Sequence, residues 1–167
     1  MKYLLLAIAI SITFLGCNKC DTFSTVDEML LKASKNVKTI TAEELKTKID
    51  SFEMFNLIDV REPAEHNFGY IPGSVNIPRG TLEFNIALEE FWVSTGFYLP
   101  EASEEFVFYC KKGNRSILAA QALKKLGYKN VKVIDGGFKK WELTYPLLQE
   151  KNLELQSHGP VEEVGGC

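Results

Sequence analysis

From residue 39 onward the chain alternates short apolar runs with amphipathic stretches, and no other feature constrains its fold as tightly. Three runs have the length and composition of strands: "MFNLIDV" (54–60), "EFVFY" (105–109) and "VKVID" (131–135). Each is rich in aliphatic or aromatic residues and bounded by turn formers. Helical patterns lie between them. "TAEELKTKI" opens on Thr41 with Glu44 three residues on, a spacing at which each side chain can bond the other's backbone N–H. "TLEFNIALEEFWVSTGFYLP" (81–100) is amphipathic and reads as helical in its first part. "RSILAAQALKKL" (115–126) is a helix that Gly127 stops, and "GGFKKWEL" (136–143) is a short helix entered through two glycines. "REPAEHNFGYIPGSVNIPRG" (61–80) is dense in breakers and reads as loop with one helical turn. Strands alternating with helices predict an α/β domain: a mostly parallel central sheet with helices on both faces.

In such sheets ligands sit beyond the carboxyl ends of the strands. Asp59 and Cys110 are at two such ends. Cys110 is followed by Lys111, Lys112, Gly113, Asn114, Arg115 and Ser116. A thiol reacts as its thiolate, which is favoured by a helix N-terminus, free backbone N–H groups and nearby cations. All three are offered here. Gly113 permits the positive φ that turns successive amides toward an anion. An isolated cysteine at a strand end is ordinarily a small buried hydrophobe; the loop that follows this one argues for chemistry. Asn114 and Ser116 are expected to cap the helix. Gly136 and Gly137 are expected to permit a tight approach beside the loop, Trp141 to pack in the core, and Pro72 and Gly73 to form a turn.

Counting residues removes two rival designs. A cysteine protease needs a histidine partner, and only His66, in an irregular loop, and His158, near the end, are present. A structural metal site needs three or four clustered ligands; Cys17 and Cys20 have the C-x-x-C spacing but no second pair accompanies them, so no metal is expected. A net charge of −3 leaves no basic face for nucleic acid. The third design is an anion cradle. Cysteine phosphatases place five residues between Cys and Arg to wrap a phosphate, whereas here four separate Cys110 from Arg115. A tighter ring of amides suits one extra sulfur atom.

Three motifs, in order, carry a resemblance: "LIDVREPAEHNFGYIPGSVNIP" (57–78), "YCKKGNRS" (109–116) and "DGGFKKWELTYPL" (135–147). On these, the stretch from Ile40 to Pro146 resembles the rhodaneses, sulfurtransferases related to the cell-cycle phosphatases. Tyr70 stands where that family usually has histidine, Ser74 where it has alanine, and His66 where an aromatic is common. The stretch 81–104 is long for the family and is expected to build a lid or partner surface. The resemblance implies a three-layer fold and a persulfide cycle. Cys110 takes sulfur from a small anionic donor such as thiosulfate and passes it to a thiol, to cyanide or to a protein acceptor, with no cofactor. Lys111, Lys112, Gly113, Asn114, Arg115 and Ser116 form the substrate loop. Asp59 and Arg61 brace it, by hydrogen bonds or a pair with Glu62. The alternatives are a non-catalytic sulfur-carrying or protein-binding module and an arsenate reductase or phosphatase of the same fold.

The beginning of the chain is different in kind. Lys2 precedes "LLLAIAISITFL" (4–15), too short to span a bilayer comfortably but suited to the core of an export signal. Gly16 and Cys17 follow, which resembles a bacterial lipoprotein signal with Cys17 as the lipidated residue; a plain cleaved signal and an uncleaved anchor are the alternatives. Phe14 and Leu15 depart from that pattern. Cleavage before Cys17 removes Lys2 and takes the charge from −3 to −4. The expected organisation is a signal peptide over 1–16, a tether over 17–38 with one short helix, the rhodanese-like domain over 39–149 and a flexible tail over 150–167. The expected location is the periplasmic or outer face of a bacterial membrane, held by the lipid. Cys20 and Cys167 have three readings: a disulfide between them, no role, or Cys167 as a thiol that accepts sulfur from Cys110.

Overall fold

The computed structural model describes residues 22–152. The apolar run 4–15, Cys17, Cys20, His158 and Cys167 lie outside them. The order is α1 (Val26–Ser34), β1 (Lys38–Ile40), α2 (Ala42–Asp50), β2 (Asn56–Asp59), α3 (Pro63–Asn67), β3 (Val75–Asn76), α4 (Leu82–Asn85), α5 (Glu89–Ser94), β4 (Glu105–Tyr109), α6 (Asn114–Lys125), β5 (Asn130–Ile134) and α7 (Gly137–Thr144). The five strands form one sheet in the order β1-β5-β4-β2-β3, and every pairing is parallel.

Strand β4 shows how the sequence builds two faces. Side chains alternate along a strand, so Phe106, Phe108 and Cys110 point to one side, with Ala119, Ala120 and Leu123 of α6 and Trp92 of α5. Val107 and Tyr109 point to the other, with Leu45 of α2 and Trp141 of α7. Helix α6 presents Ser116, Ala119, Ala120 and Leu123, a three-and-four spacing that keeps one stripe on the sheet. Helix α2 starts as its sequence requires: Glu44 N–H donates to Thr41 Oγ1 at 3.1 Å, and Thr41 N–H to the Glu44 carboxylate at 2.7 Å.

Three details differ from the sequence reading. The short helix expected within the tether is present as α1, but it packs on α6 with Ala33 fully buried, and the chain leads through Val37 into β1. The stretch 81–100 is two short helices, broken where the indole N–H of Trp92 takes the Ile86 carbonyl at 3.0 Å. The breaker-rich segment contains β3 as well as its helical turn, with Ile58 paired to Val75 and Asp59 to Asn76.

The chain runs outward from β2 to β3 in one direction and from β4 to β5 in the other. The carboxyl ends of β2 and β4 therefore flank the switch point where a parallel sheet leaves a crevice. Helix α7 closes against the loop after β4. Its N–H groups at Phe138 and Lys139 donate to the carbonyls of Cys110 and Lys111 at 2.8 and 2.9 Å. Gly137 makes this approach possible: a Cβ there would lie 2.3 Å from the Cys110 carbonyl oxygen, at a φ of +61°. Gly137→Ala is therefore expected to lower stability by at least about 1–3 kcal/mol, the scale of a residue forced into strained backbone, measured as the shift in urea midpoint. Gly73→Ala, at positive φ but with open space around the new Cβ, is expected to cost less.

Candidate active site

Cys110 follows β4 directly and keeps 2% of its surface exposed. Lys111 and Lys112 are exposed at the mouth of the loop. Gly113 has φ 106° and is the N-cap of α6. That left-handed turn aims its N–H at Cys110 Sγ, 3.2 Å away. Three of the loop carbonyls are held by other donors. Those of Cys110 and Lys111 are taken by α7, and that of Gly113 accepts from Ser116 Oγ at 2.7 Å and from Ile117 N–H at 3.0 Å. The N–H groups of Asn114, Arg115 and Ser116 belong to the first turn of α6, where no carbonyl one turn earlier can take them. Negative charge on the sulfur thus meets main-chain donors and the positive end of a twelve-residue helix.

The expected helix cap is replaced. Glycine holds the cap position without a side-chain bond, Asn114 is the first helical residue, and Ser116 is fully buried. The Ser116 hydroxyl bonds back to the loop and comes within 3.9 Å of Sγ. Arg115 is gripped by Glu65 through two bonds of 2.6 and 2.8 Å. That carboxylate, aided by the proximity of the Cys110 sulfur, holds the guanidinium above its ordinary range. The same bonds, with a contribution from the Glu62 backbone, outweigh partial burial and hold Glu65 below the usual carboxylate range.

Asp59 and Arg61 do meet, and they meet inside the protein. Asp59 is fully buried and Arg61 is 3% exposed. Arg61 Nε donates to Oδ1 and Oδ2 of Asp59 at 2.9 and 3.0 Å, and Nη2 to Oδ2 at 2.6 Å. The partner that the sequence did not supply is His66, whose Nδ1 lies 2.9 Å from Asp59 Oδ2. Of the two expected ways of bracing, the hydrogen bonds are present and the pair with Glu62 is not; the Glu62 N–H donates to the Glu65 carboxylate at 3.3 Å. Burial pushes the Asp59 carboxyl upward, but the bonds from His66 and Arg61 outweigh it and leave it below its usual value. Arg61 also reaches the carbonyls of Glu65 and Gly69 and stacks 4.2 Å from the Phe138 ring centre. It thereby ties β2, the α3 segment and α7 together beneath the loop. His66 stacks on Tyr70 with ring centres 4.1 Å apart, so two of the three departures from the family pattern contact each other.

A groove of about 310 Å³ opens beside the loop, walled by Arg61, Glu65, Phe68, Lys111, Phe138 and Lys139. Glu65 and Phe138 are the site residues that sequence reasoning left without a role. Both lay within the quoted motifs, Glu65 six residues after Asp59 and Phe138 directly after the glycine pair. Trp141 is buried, as expected for a core residue, and its indole N–H donates to the Leu148 carbonyl at 2.7 Å. Among the described residues no three His, Cys, Asp or Glu side chains cluster as a metal site.

Known proteins align with this architecture. A candidate mitochondrial thiosulfate sulfurtransferase of Schizosaccharomyces pombe is 44% identical over 87 residues, covering 51% of this chain and 61% of its own length. The thiosulfate:glutathione sulfurtransferase of Saccharomyces cerevisiae is 30% identical over 113 residues, covering 66% and 81%. Among solved structures, a human single-domain sulfurtransferase superposes with a TM-score of 0.60 at 31% identity, covering 66% of this chain and 98% of that one. The chain thus spans less than two thirds of the first of these relatives. Residues 41–144 match the family described as the rhodanese-like domain, and this chain belongs to it.

Proposed function

We propose that the protein is a sulfurtransferase that moves a sulfane sulfur from an anionic donor such as thiosulfate to a thiophilic acceptor through a persulfide on Cys110. The observation that carries this is the Gly113 N–H held 3.2 Å from Sγ in a loop where the carbonyls of Cys110, Lys111 and Gly113 are bonded to other donors. The Cys110 thiolate attacks the outer sulfur of thiosulfate. A new S–S bond forms, the bond to the sulfonate sulfur breaks, and its electron pair leaves as sulfite. The terminal sulfur then carries the negative charge, and the amides that open α6 and its dipole stabilise it as an oxyanion hole would. A thiolate or cyanide attacks that terminal sulfur and returns Cys110 to its thiolate. The cycle as written requires no cofactor. Lys111 and Lys112 attract the donor, and Arg115, oriented by Glu65, stands beside the sulfur. The names of the relatives, one of which pairs thiosulfate with glutathione, support this donor and acceptor chemistry.

We also propose that the chain is exported and held by a lipid on Cys17 at the outer or periplasmic face of a bacterial membrane. The support is the sequence of residues 2–17: a lysine, an apolar run and a small residue before the cysteine.

Incubation with thiosulfate is expected to add about 32 Da, one sulfur atom, to the intact mass. Cys110→Ser is expected to lose that gain and to lower turnover about a thousandfold or more, as loss of a covalent nucleophile does. An unchanged mass accompanied by hydrolysis of an aryl phosphate, or by no turnover, would overturn the proposal in favour of a phosphatase or a binding module. Arg115→Ala is expected to lower kcat/KM for thiosulfate about 10–100-fold, the value of one charge-assisted bond of about 1.5–3 kcal/mol. Cys17→Ser is expected to move the protein from the membrane to the soluble fraction on cell fractionation; an unchanged distribution refutes the lipid anchor.

A further inference from the structure

We propose that a second copy of this chain docks at the amino ends of the strands, with the Phe52 ring of each copy entering a cavity beside β2 of the other. Phe52 and that cavity precede β2, whereas Cys110 follows β4, so the contact lies at the opposite end of the parallel sheet from the active loop. It does not depend on the sulfurtransferase reading.

Helix α2 stops in a turn made for glycine. Glu53 N–H donates to the Lys48 carbonyl at 3.0 Å and Phe52 N–H to the Ile49 carbonyl at 3.1 Å. This is the pair of bonds that closes a helix on one left-handed residue. Phe52 holds that place at a φ of 54°, and among the described residues no other non-glycine has a positive φ. The conformation disfavours a residue with a Cβ, and an aromatic one most of all. The ring does not offset this by packing within the chain, because Phe52 is 91% exposed. A side chain that strains the backbone and stays in water is accounted for by a contact outside its own molecule.

The cavity next to it supplies the complementary shape. It holds about 170 Å³ and is bounded by Met54, Phe55, Val75, Trp92, Phe97 and Tyr98. An apolar cavity of about 150 Å³ accepts a benzene ring, so one phenyl group fits. Its rim is apolar and wet: Met54 is 83% exposed, Tyr98 55% and Phe97 44%. With Phe52 these side chains present on the order of 550 Å² to water, taking roughly 200 Å² for a fully exposed side chain of this size. The largest apolar patches on single molecules run to about 300–600 Å². A stable pair buries about 800 Å² on each partner, and Leu99 with the polar rim supplies the remainder.

Symmetry and charge select a second copy as the occupant. Phe52 lies two residues from Met54 of the cavity rim. A two-fold axis between ring and cavity therefore fills both cavities with both rings and closes the assembly at two. A surface that meets itself brings each charge toward its own image, which opposes pairing unless the charge is neutralised or kept in water. The cations beside Phe52 are neutralised within the chain: Lys46 by Asp50 at 2.5 Å, and Lys48 by Glu53 at 2.5 Å and Glu105 at 3.3 Å. Glu104 accepts from Tyr98 Oη at 2.6 Å and from Asn56 Nδ2 at 3.1 Å. Glu101 is exposed and belongs to the solvated margin.

The test places a photoreactive side chain on the rim. The full chain carrying Met54→p-benzoylphenylalanine is irradiated in intact expressing cells, so that no detergent competes for the apolar surface. An adduct of twice the chain mass is expected, with the cross-linked peptide mapping to 52–58 or 92–99 of the second copy. Adding Phe52→Gly is expected to lower the adduct yield roughly tenfold or more, because one substitution removes the anchor from both copies. Glycine suits the backbone at that position. Phe52→Gly alone is therefore expected to leave the urea midpoint unchanged or raised, read at a dilution where the midpoint no longer depends on concentration. Sulfur loading of Cys110 in that variant is expected to be unchanged. An adduct with another protein or with lipid, a double-mass adduct mapping elsewhere, no adduct, a yield indifferent to Phe52→Gly, or a lowered midpoint would each overturn the pairing and leave the sulfurtransferase reading standing. Failure of Cys110 to load sulfur in the unsubstituted chain overturns that reading and leaves the pairing standing.

Discussion

The site depends on two hydrogen bonds from the start of α7 to the carbonyls of Cys110 and Lys111. A loop of this length between a strand and a helix has as many acceptors as donors. An anion is comfortable beside it only when the acceptors face away. Helix α7 supplies that asymmetry: its own unpaired first-turn N–H groups need partners, and the loop carbonyls provide them. The need of one helix terminus is met by the same contacts that bias another. Gly137 is the residue whose missing side chain lets the two backbones touch.

The second support is the buried Arg61. A charged pair removed from water is favourable only with close geometry and additional partners. Asp59, His66 and the carbonyls of Glu65 and Gly69 supply these. Arg61 therefore holds the α3 segment against the strand ends and so places Glu65 where it grips Arg115. Two arginines act in series: the buried one organises the wall, and the half-exposed one faces the chemistry.

Much of this was legible in the sequence. The strands β2, β4 and β5, the capped start of α2 and the cysteine loop all announce themselves through local composition and spacing. What was hidden is non-local. β1 and β3 have three and two residues, too few to display a period, and they exist because β5 and β2 offer them partners. The break inside 81–100 depends on where the Trp92 indole finds a carbonyl. Asp59 and Arg61 were identified, but a list of nearby charges could not show that His66, seven residues on, completes the pair while Glu62 stays at the surface of α3. The glycine at 113 announces backbone freedom in the sequence, and the +106° φ at that residue is the conformation that puts its N–H on the sulfur.

The shortness of the outer strands has a further consequence. The sheet is bounded by β1 on one side and β3 on the other, and β3 runs directly into Ile77 and Pro78. A long, flat sheet edge is a template on which neighbouring molecules add strands, and brevity and proline both interrupt it. This protein can therefore be crowded without its sheet growing from one molecule into the next.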